Sequence, residues 1–363
     1  SKYDYNIIIS KNFTYICTNV ISKNLMKKNT TINDIAKKVG LSITTVSRVL
    51  NGKAKQYRIG KKSQQIIEDA AKKLNYIPNH FAANLRSGKS NTLGLIVPSL
   101  SNPFFANIAS NINAEVRKYG YTTIIVDSDE NVEIEKTVLQ QFIARNIEGL
   151  IIIPCGKEME HIKNVYYQGL PLVLLDRYFE ELEIPYVSTD NFEGAYMAAN
   201  LLINHGHKSI LCIQGIVDST PNKLRVKGFK QAMKDAGIEN FKVVGDAFSV
   251  ENGYSETKML LQNKVRPTAI FTLSNTIAMG CLKALKEENI RIPQDISLIT
   301  FDNHLYLDFL ATPITSIAQP VEAICKIALK NLISNLNEKE KTVKQVILKP
   351  EIKYRESISN IKN

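Results

Sequence analysis

Between Ser42 and Asn51 the chain reads Ser-Ile-Thr-Thr-Val-Ser-Arg-Val-Leu-Asn. At about 100° per residue, Val46, Val49 and Leu50 fall on one face of a helix. Thr44 and Arg48 fall opposite, with Ile43 and Ser47 at the flanks. Short hydroxyls and one guanidinium can reach base edges and phosphate oxygens, whereas a merely solvated face would mix Glu with Lys. An ordinary small helical bundle accounts for the apolar stripe equally well but not for this polar face. The face points to duplex DNA.

The flanking residues supply the elements that would hold it. Thr31 can cap a helix, with Asp34 in the reciprocal position three residues on. Ile32, Ile35, Ala36 and Val39 then repeat as one apolar stripe. Gly40 ends that helix, because a left-handed cap is cheap only for Gly. Leu41 fills the corner, Ser42 caps the next helix and Asn51-Gly52 stops it. A third helix is expected from about Ser63, carrying Ile66, Ile67, Ala70, Ala71 and Leu74. Helix, glycine turn and short second helix make the helix-turn-helix pattern. The charge agrees: residues 26–90 hold fourteen Lys/Arg against Asp34, Glu68 and Asp69, an excess equal to the whole net charge of +11. A folded basic block suits a polyanion partner.

From Thr92 onward short β-branched runs alternate with amphipathic helices. Leu93–Val97, Thr122–Val126, Leu150–Ile153 and Leu172–Leu175 read as buried parallel strands. A second series follows at Ile210–Ile213, Val243–Val244, Ala269–Thr272 and Ser297–Thr300. The fold class expected is α/β: an N-terminal all-α helix-turn-helix headpiece plus two doubly wound α/β subdomains with a cleft between them. No G-x-G-x-x-G or P-loop accompanies a strand, so no nucleotide cofactor is expected. No G-x-S-x-G elbow is present, and His205-Gly206-His207 reads as a turn at a helix end, so an enzyme is not expected. The five cysteines are scattered without a C-x-x-C pair, which argues against zinc and disulfides and for a reducing cytoplasm. No run approaches the roughly 18 apolar residues of a membrane span. Residues 1–25 have no clear period and no signal-peptide core; with Met26 resembling a natural start, they read as an upstream extension.

Residues 31–42 and 45–52, Thr-Ile-Asn-Asp-Ile-Ala-Lys-Lys-Val-Gly-Leu-Ser and Thr-Val-Ser-Arg-Val-Leu-Asn-Gly, closely resemble the opening of lactose-repressor (LacI/GalR) family regulators. Leu74-Asn75-Tyr76-Ile77-Pro78-Asn79 with Ala82, Leu85 and Gly88 resembles that family's hinge. The larger part matches too, at Ser101–Phe105, Gly149–Ile151, Asp190-Asn191 with Gly194, Ala278–Gly280, Pro293–Ser297, Phe301–Asn303, Pro313–Ile317 and Lys353–Ser357.

The resemblance implies a transcription regulator, expected to be a repressor, with a periplasmic-binding-protein-like effector domain. It implies that Ile43, Thr44 and Arg48 read bases in the major groove. Thr31, Ser42, Thr45, Ser47, Asn51, Tyr76, Asn79 and Ala82 complete the DNA-facing set, and Leu85 on a hinge helix at 79–86 would wedge between base pairs. From the residues alone, that segment reads about as well as a simple linker. The implied domains are a headpiece at 26–77, a hinge at 78–90, an effector domain at 91–357 and a tail at 358–363. Within the effector domain the N-subdomain is expected at about 91–188 and 319–336, and the C-subdomain at about 189–318 and 337–357.

By position, the effector pocket would hold Asn102, Phe104, Phe105, Arg177, Asn191, Arg225, Phe248, Asn275 and Asp302. Each alone reads equally well as an ion pair or a core aromatic. Together they suit a sugar: carboxylate accepting from adjacent hydroxyls, Arg donating, aromatics covering the apolar ring face. One departure is Ser274-Asn275, where many members carry Asn-Asp. Losing that acceptor while keeping Arg177 and Arg225 shifts the expected pocket toward an anionic effector, such as a uronate or sugar phosphate. The partners implied are a pseudo-palindromic operator in double-stranded DNA, a small carbohydrate and a second copy in a homodimer. A periplasmic sugar-binding protein would share the larger part but needs a signal peptide and no basic helix-turn-helix.

Overall fold

A computed structural model describes residues 30–76, 90–262, 266–337 and 343–361. The chain divides into two compact units between Gly88 and Lys89.

Among the described residues the first unit holds three helices, α1 (Ile32–Val39), α2 (Ile43–Leu50) and α3 (Lys61–Lys73). Their ends are set locally. The Thr31 hydroxyl accepts from the Asp34 amide while the Asp34 carboxylate accepts from the Thr31 amide, a closed capping box. Gly40 takes φ +67° at the end of α1. The Ser42 hydroxyl accepts from the Thr45 amide at 3.1 Å to open α2. Ile35, Ala36, Val46, Val49, Ala54, Ile67 and Ala70 form the core. The third helix starts at Lys61, two residues before the expected Ser63. Ile66, expected on its apolar face, is 45% exposed.

The second unit holds two six-stranded sheets. The first contains β1 (Thr92–Val97), β2 (Thr122–Asp127), β3 (Gly149–Ile152), β4 (Leu172–Leu175), β5 (Tyr186–Thr189) and β11 (Gln345–Leu348), in the order β11-β5-β4-β3-β1-β2 and parallel throughout. The second contains β6 (Ile210–Ile213), β7 (Phe241–Val244), β8 (Ala269–Thr272), β9 (Ser297–Phe301), β10 (Thr315–Ala318) and β12 (Glu351–Lys353), in the order β12-β10-β9-β8-β6-β7. Only the edge strand β12 runs antiparallel, against β10. Helices α4 (Pro103–Lys118), α5 (Val132–Ala144), α6 (Glu160–Tyr167) and α11 (Val321–Asn337) belong to the first lobe. Helices α7 (Asn191–Asn204), α8 (Thr220–Asp235), α9 (Val250–Leu261) and α10 (Asn275–Glu287) belong to the second. Each sheet has a separate apolar core on either face, which is why its central strands are apolar runs and do not alternate. Gly280 of α10 packs so closely on α9 that a Cβ there would collide with the Val250 carbonyl oxygen.

The chain passes between sheets after Thr189, after Ala318 and at Lys349-Pro350. The last differs from the expected crossing near Leu336. Strand β11 stays in the first lobe, pairing Gln345 with Tyr186 through Leu348 with Thr189. As an edge strand it alternates, with Val346 and Leu348 packed inward and Ile347 43% exposed, so it lacks the apolar run that marks the inner strands. The expected tail beyond residue 357 is also docked. Ile358 packs on the second lobe's core, the Ser359 amide donates to Ser297 Oγ at 3.0 Å, and the Ile361 amide donates to the His205 carbonyl at 2.8 Å.

Candidate functional site

In the headpiece, α2 turns Val46 and Val49 into the core and leaves Ile43 53% exposed. Thr44 is exposed, and Ser47 and Arg48 are half-buried. Lys37 and Lys38 at the end of α1 and Lys61 and Lys62 at the start of α3 are exposed cations around it. Several DNA-facing candidates also have structural work. Thr31 and Ser42 are caps, Thr45 Oγ1 lies 2.8 Å from Ser42 Oγ, and Asn51 Nδ2 donates to the Ser47 carbonyl at 2.8 Å. Tyr76 packs against the headpiece core. Asn79, Ala82 and Leu85 lie outside the described residues.

In the second unit, loops at the carboxyl ends of strands converge between the lobes, where open α/β sheets place ligands. Asn102, Phe104, Phe105, Arg177, Arg225, Phe248 and Asp302 line one small cavity there, together with Asp176, Pro221 and Ser274. The cavity leaves about 20 Å³ of free space, room for about one water. Two positions expected in the pocket are not on its wall. Asn191 sits behind it, accepting from Arg225 Nε at 2.8 Å and donating to the Thr189 carbonyl at 3.0 Å, so it orients the arginine. Asn275 is buried beside Ser274, and its backbone carbonyl accepts from the Tyr306 hydroxyl at 3.3 Å.

The charged groups of the cleft divide into two sets. Arg177 holds Glu130 through both carboxylate oxygens at 2.7 Å, and its guanidinium lies 5.5 Å from the Phe105 ring centroid. Burial works against its charge, but the Glu130 bonds outweigh that and raise its pKa. Arg225 is only 3% exposed. It donates to Asn191 and to the Leu273 carbonyl, lies 3.7 Å over the Phe301 ring, and stands 4.0 Å from Asp302. Asp302 accepts from Gln319 Nε2 at 2.6 Å, and Gln319 in turn accepts from Thr189 at 2.6 Å. At 4.0 Å the ion pair is too long to offset desolvation: burial pushes Asp302 up and Arg225 down.

Asp176 was absent from the expected set. Its Oδ1 is buried without a protein partner, and its backbone is left-handed at φ +61°. Burial pushes the carboxyl up to about 6, against Arg225 and Arg177, with Asp302 and Glu130 adding to the rise. The signal available in the sequence was an acid directly after a buried strand, where an open sheet carries its ligand crevice.

A second cavity of about 270 Å³ adjoins the first and shares Arg177 with it. Lys157 and Tyr178 come from the first lobe, Asp218 and Thr220 from the second. Two bonds span the lobes there: Lys157 to Asp218 at 2.7 Å, and the Thr220 hydroxyl to the Tyr178 carbonyl at 2.6 Å.

Among the described residues no helix is long and apolar enough to cross a membrane, and no cluster of His, Cys, Asp and Glu could hold a metal ion. Cys155, Cys212, Cys281 and Cys325 are buried free thiols.

Comparison with known proteins accounts for both units. Residues 31–79 match the family described as bacterial regulatory proteins, lacI family. Residues 90–356 match periplasmic binding proteins and sugar binding domain of LacI family. The chain is 32% identical to the HTH-type transcriptional regulator DegA of Bacillus subtilis, over 91% of this chain and 98% of that protein. It is 31% identical to the HTH-type transcriptional repressor PurR of Pasteurella multocida, over 91% and 99%. A LacI family transcriptional regulator from Enterococcus faecium, solved with bound ribose, superposes with a TM-score of 0.68 at 28% identity, over 75% of this chain and all of that one. The lac repressor dimer bound to operator shares the fold, with a TM-score of 0.81 at 24% identity over 92% of this chain and all of that one. The chain belongs to the LacI family: it is a DNA-binding transcription regulator whose operator affinity answers to a small effector held between two α/β subdomains.

Proposed function

We propose that the effector is a neutral polyhydroxy compound of monosaccharide size, and that α2 reads the operator with Ile43, Thr44, Ser47 and Arg48. The observation that carries the effector reading is the bidentate Arg177–Glu130 pair. It cancels one of the two cations on which an anionic effector was expected. What faces the cavity is then Arg225 together with Asp176 and Asp302, a set richer in acceptors than in donors. Carboxylates in that number favour sugar hydroxyls and oppose a uronate or sugar phosphate, which would bring a third negative charge into a buried site. Phe104, Phe105 and Phe248 supply apolar aromatic surface to the cavity wall for a sugar ring. The bound ribose of the Enterococcus faecium relative is consistent with this class.

The test is a calorimetric titration of the full chain with neutral pentoses and hexoses, the matching uronates and sugar phosphates, and free nucleobases. Saturable binding confined to neutral sugars supports the reading; selective binding of an anionic sugar or a nucleobase overturns it. On the DNA side, a homodimer is expected to place two α2 helices on a pseudo-palindromic operator. Arg48→Ala is expected to cost about 1–3 kcal/mol on a duplex selected by the wild-type protein and much less on random DNA. Equal loss on both would remove α2 from base reading.

A further inference from the structure

Arg48 does not stand alone on α2. Its guanidinium carbon lies 3.8 Å from the ring centroid of Tyr57, in the turn that follows the helix. That turn is tied down at several points. The Lys53 amide donates to the Arg48 carbonyl at 2.8 Å, the Tyr57 amide to the Lys53 carbonyl at 3.2 Å, and the Ile59 amide to the Ala54 carbonyl at 3.0 Å. Ala54 is buried in the headpiece core, and Ile59 packs against that core. Tyr57 itself is 44% exposed. Its ring is thus a platform held by backbone bonds and by its neighbours' burial, with little of its own surface committed to the core.

A guanidinium stacked on a ring uses its face and keeps its five N–H donors in the plane of its edge. That edge is what pairs with the two acceptors of a guanine in the major groove. Without the platform, Arg48 is a long side chain whose rotamers must be frozen on binding. We propose that Tyr57 is a positioning residue for sequence recognition: it holds the Arg48 guanidinium edge-out before DNA arrives, and base discrimination at the position Arg48 reads depends on it. This rests on α2 being the reading helix.

The test uses the full chain and a duplex selected from a random pool by the wild-type protein, with an unselected duplex as control, at several salt concentrations. Tyr57→Leu is expected to weaken binding to the selected duplex about three- to tenfold, from lost stacking and lost pre-organisation. The unselected duplex and the salt slope should not change, since no phosphate contact is lost. Tyr57→Phe and Tyr57→Trp keep a π face and should bind within about twofold of wild type. In an Arg48→Ala background, Tyr57→Leu should cost nothing further. Selection repeated with Tyr57→Leu should return sequences degenerate at the base that Arg48 reads.

Four outcomes overturn the proposal. Tyr57→Phe could lose as much as Tyr57→Leu, which would make the hydroxyl a phosphate contact. Tyr57→Leu could weaken both duplexes equally. Its cost could persist without Arg48. The variant could also lose headpiece helicity by circular dichroism while Tyr57→Trp binds no better than Tyr57→Leu, which would make the ring structural. A different result belongs to the underlying reading: if Arg48→Ala binds the selected duplex as wild type does, α2 is not the reading helix.

Discussion

Arg48 in the headpiece and Arg225 in the cleft each place the guanidinium carbon over an aromatic ring, at 3.8 Å and 3.7 Å, yet their surroundings are opposite. Around Arg48 the candidate groups sit at the surface of a small apolar core, and the local bonds near them are caps and turn hydrogen bonds. Arg225 is enclosed: Asn191 and the Leu273 carbonyl take two of its donors, and Asp302 stands at the edge of ion-pair distance. A surface arginine can be removed at the expense of binding alone. A buried one also holds the charges around it, so in the cleft recognition and stability are not separable.

Arg225→Ala tests that difference at its widest. It leaves Asp302 and Asp176 buried without the cation that most offsets their charge, a loss of about 3–5 kcal/mol for breaking a buried pair. Urea unfolding of the full chain, followed through the transition of the α/β unit, should show it, and effector binding should vanish with it. Arg48→Ala should leave headpiece unfolding within about 1 kcal/mol of wild type. If Arg225→Ala unfolded at the wild-type midpoint, the two regions would not differ as described.

Asp176 gives a test of opposite sign. Its carboxyl is pushed from the ordinary 3.8 up to about 6 by burial, and Asp302 and Glu130 add to the rise against Arg225 and Arg177. A carboxyl with a raised folded-state pKa contributes stability that is fully present below the unfolded pKa. That contribution is lost as pH rises through the folded value. The ionised form therefore weakens the fold above about pH 6 by about 2–3 kcal/mol. Asp176→Asn should stabilise the protein at pH 7.5, with the gain shrinking between about pH 6 and pH 4. It should also weaken effector binding, because an acceptor is lost. Urea midpoints at pH 7.5, 6 and 4.5 decide it. No gain at pH 7.5 would mean that the arginines already compensate the charge, and that this carboxylate carries no cost to the fold.

How far each region was legible in the sequence follows from the same contrast. The headpiece is encoded locally. Thr31 and Asp34 cap within one turn, Gly40 takes the left-handed position, and the α2 stripe is periodic. The inner strands were legible as apolar runs. Strands β5 and β10 were not, because Ser188, Thr189, Thr315 and Ser316 are polar yet at most 1% exposed, and only tertiary bonds explain them. The Ser188 hydroxyl, for one, donates to the Asp176 carbonyl at 2.7 Å. Arg177 is half of an ion pair, but its partner Glu130 lies 47 residues away, beyond the reach of any local pattern. Asn191 has the right place in the chain for a ligand contact, but the direction of its side chain makes it a support for Arg225. The Arg48–Tyr57 stack spans nine residues across a turn, which no helical period reveals.

The smallest expected effects lie where the cleft meets solvent, and there the contrast narrows to a single bond type. Lys157 and Asp218 both expose their side chains to water. An ion pair so exposed contributes about 0.5 kcal/mol. The Thr220 hydroxyl bond to the Tyr178 carbonyl is partly buried. A neutral hydrogen bond of that kind contributes about 1 kcal/mol. Both bonds join one lobe to the other and hold the form in which the cavity walls converge. If the effector binds that form preferentially, weakening a bridge lowers the population of the binding-competent state and hence the apparent affinity, by no more than the bridge's own free energy. Thr220→Val should then weaken effector binding about two- to fivefold, and Lys157→Ala by about twofold or less. High salt should erase the Lys157→Ala effect and leave that of Thr220→Val, since only the first is an exposed charge pair. Calorimetric titration of each variant at low and high salt makes the measurement. Tighter binding in Thr220→Val would show that the bridge holds a form the effector has to open.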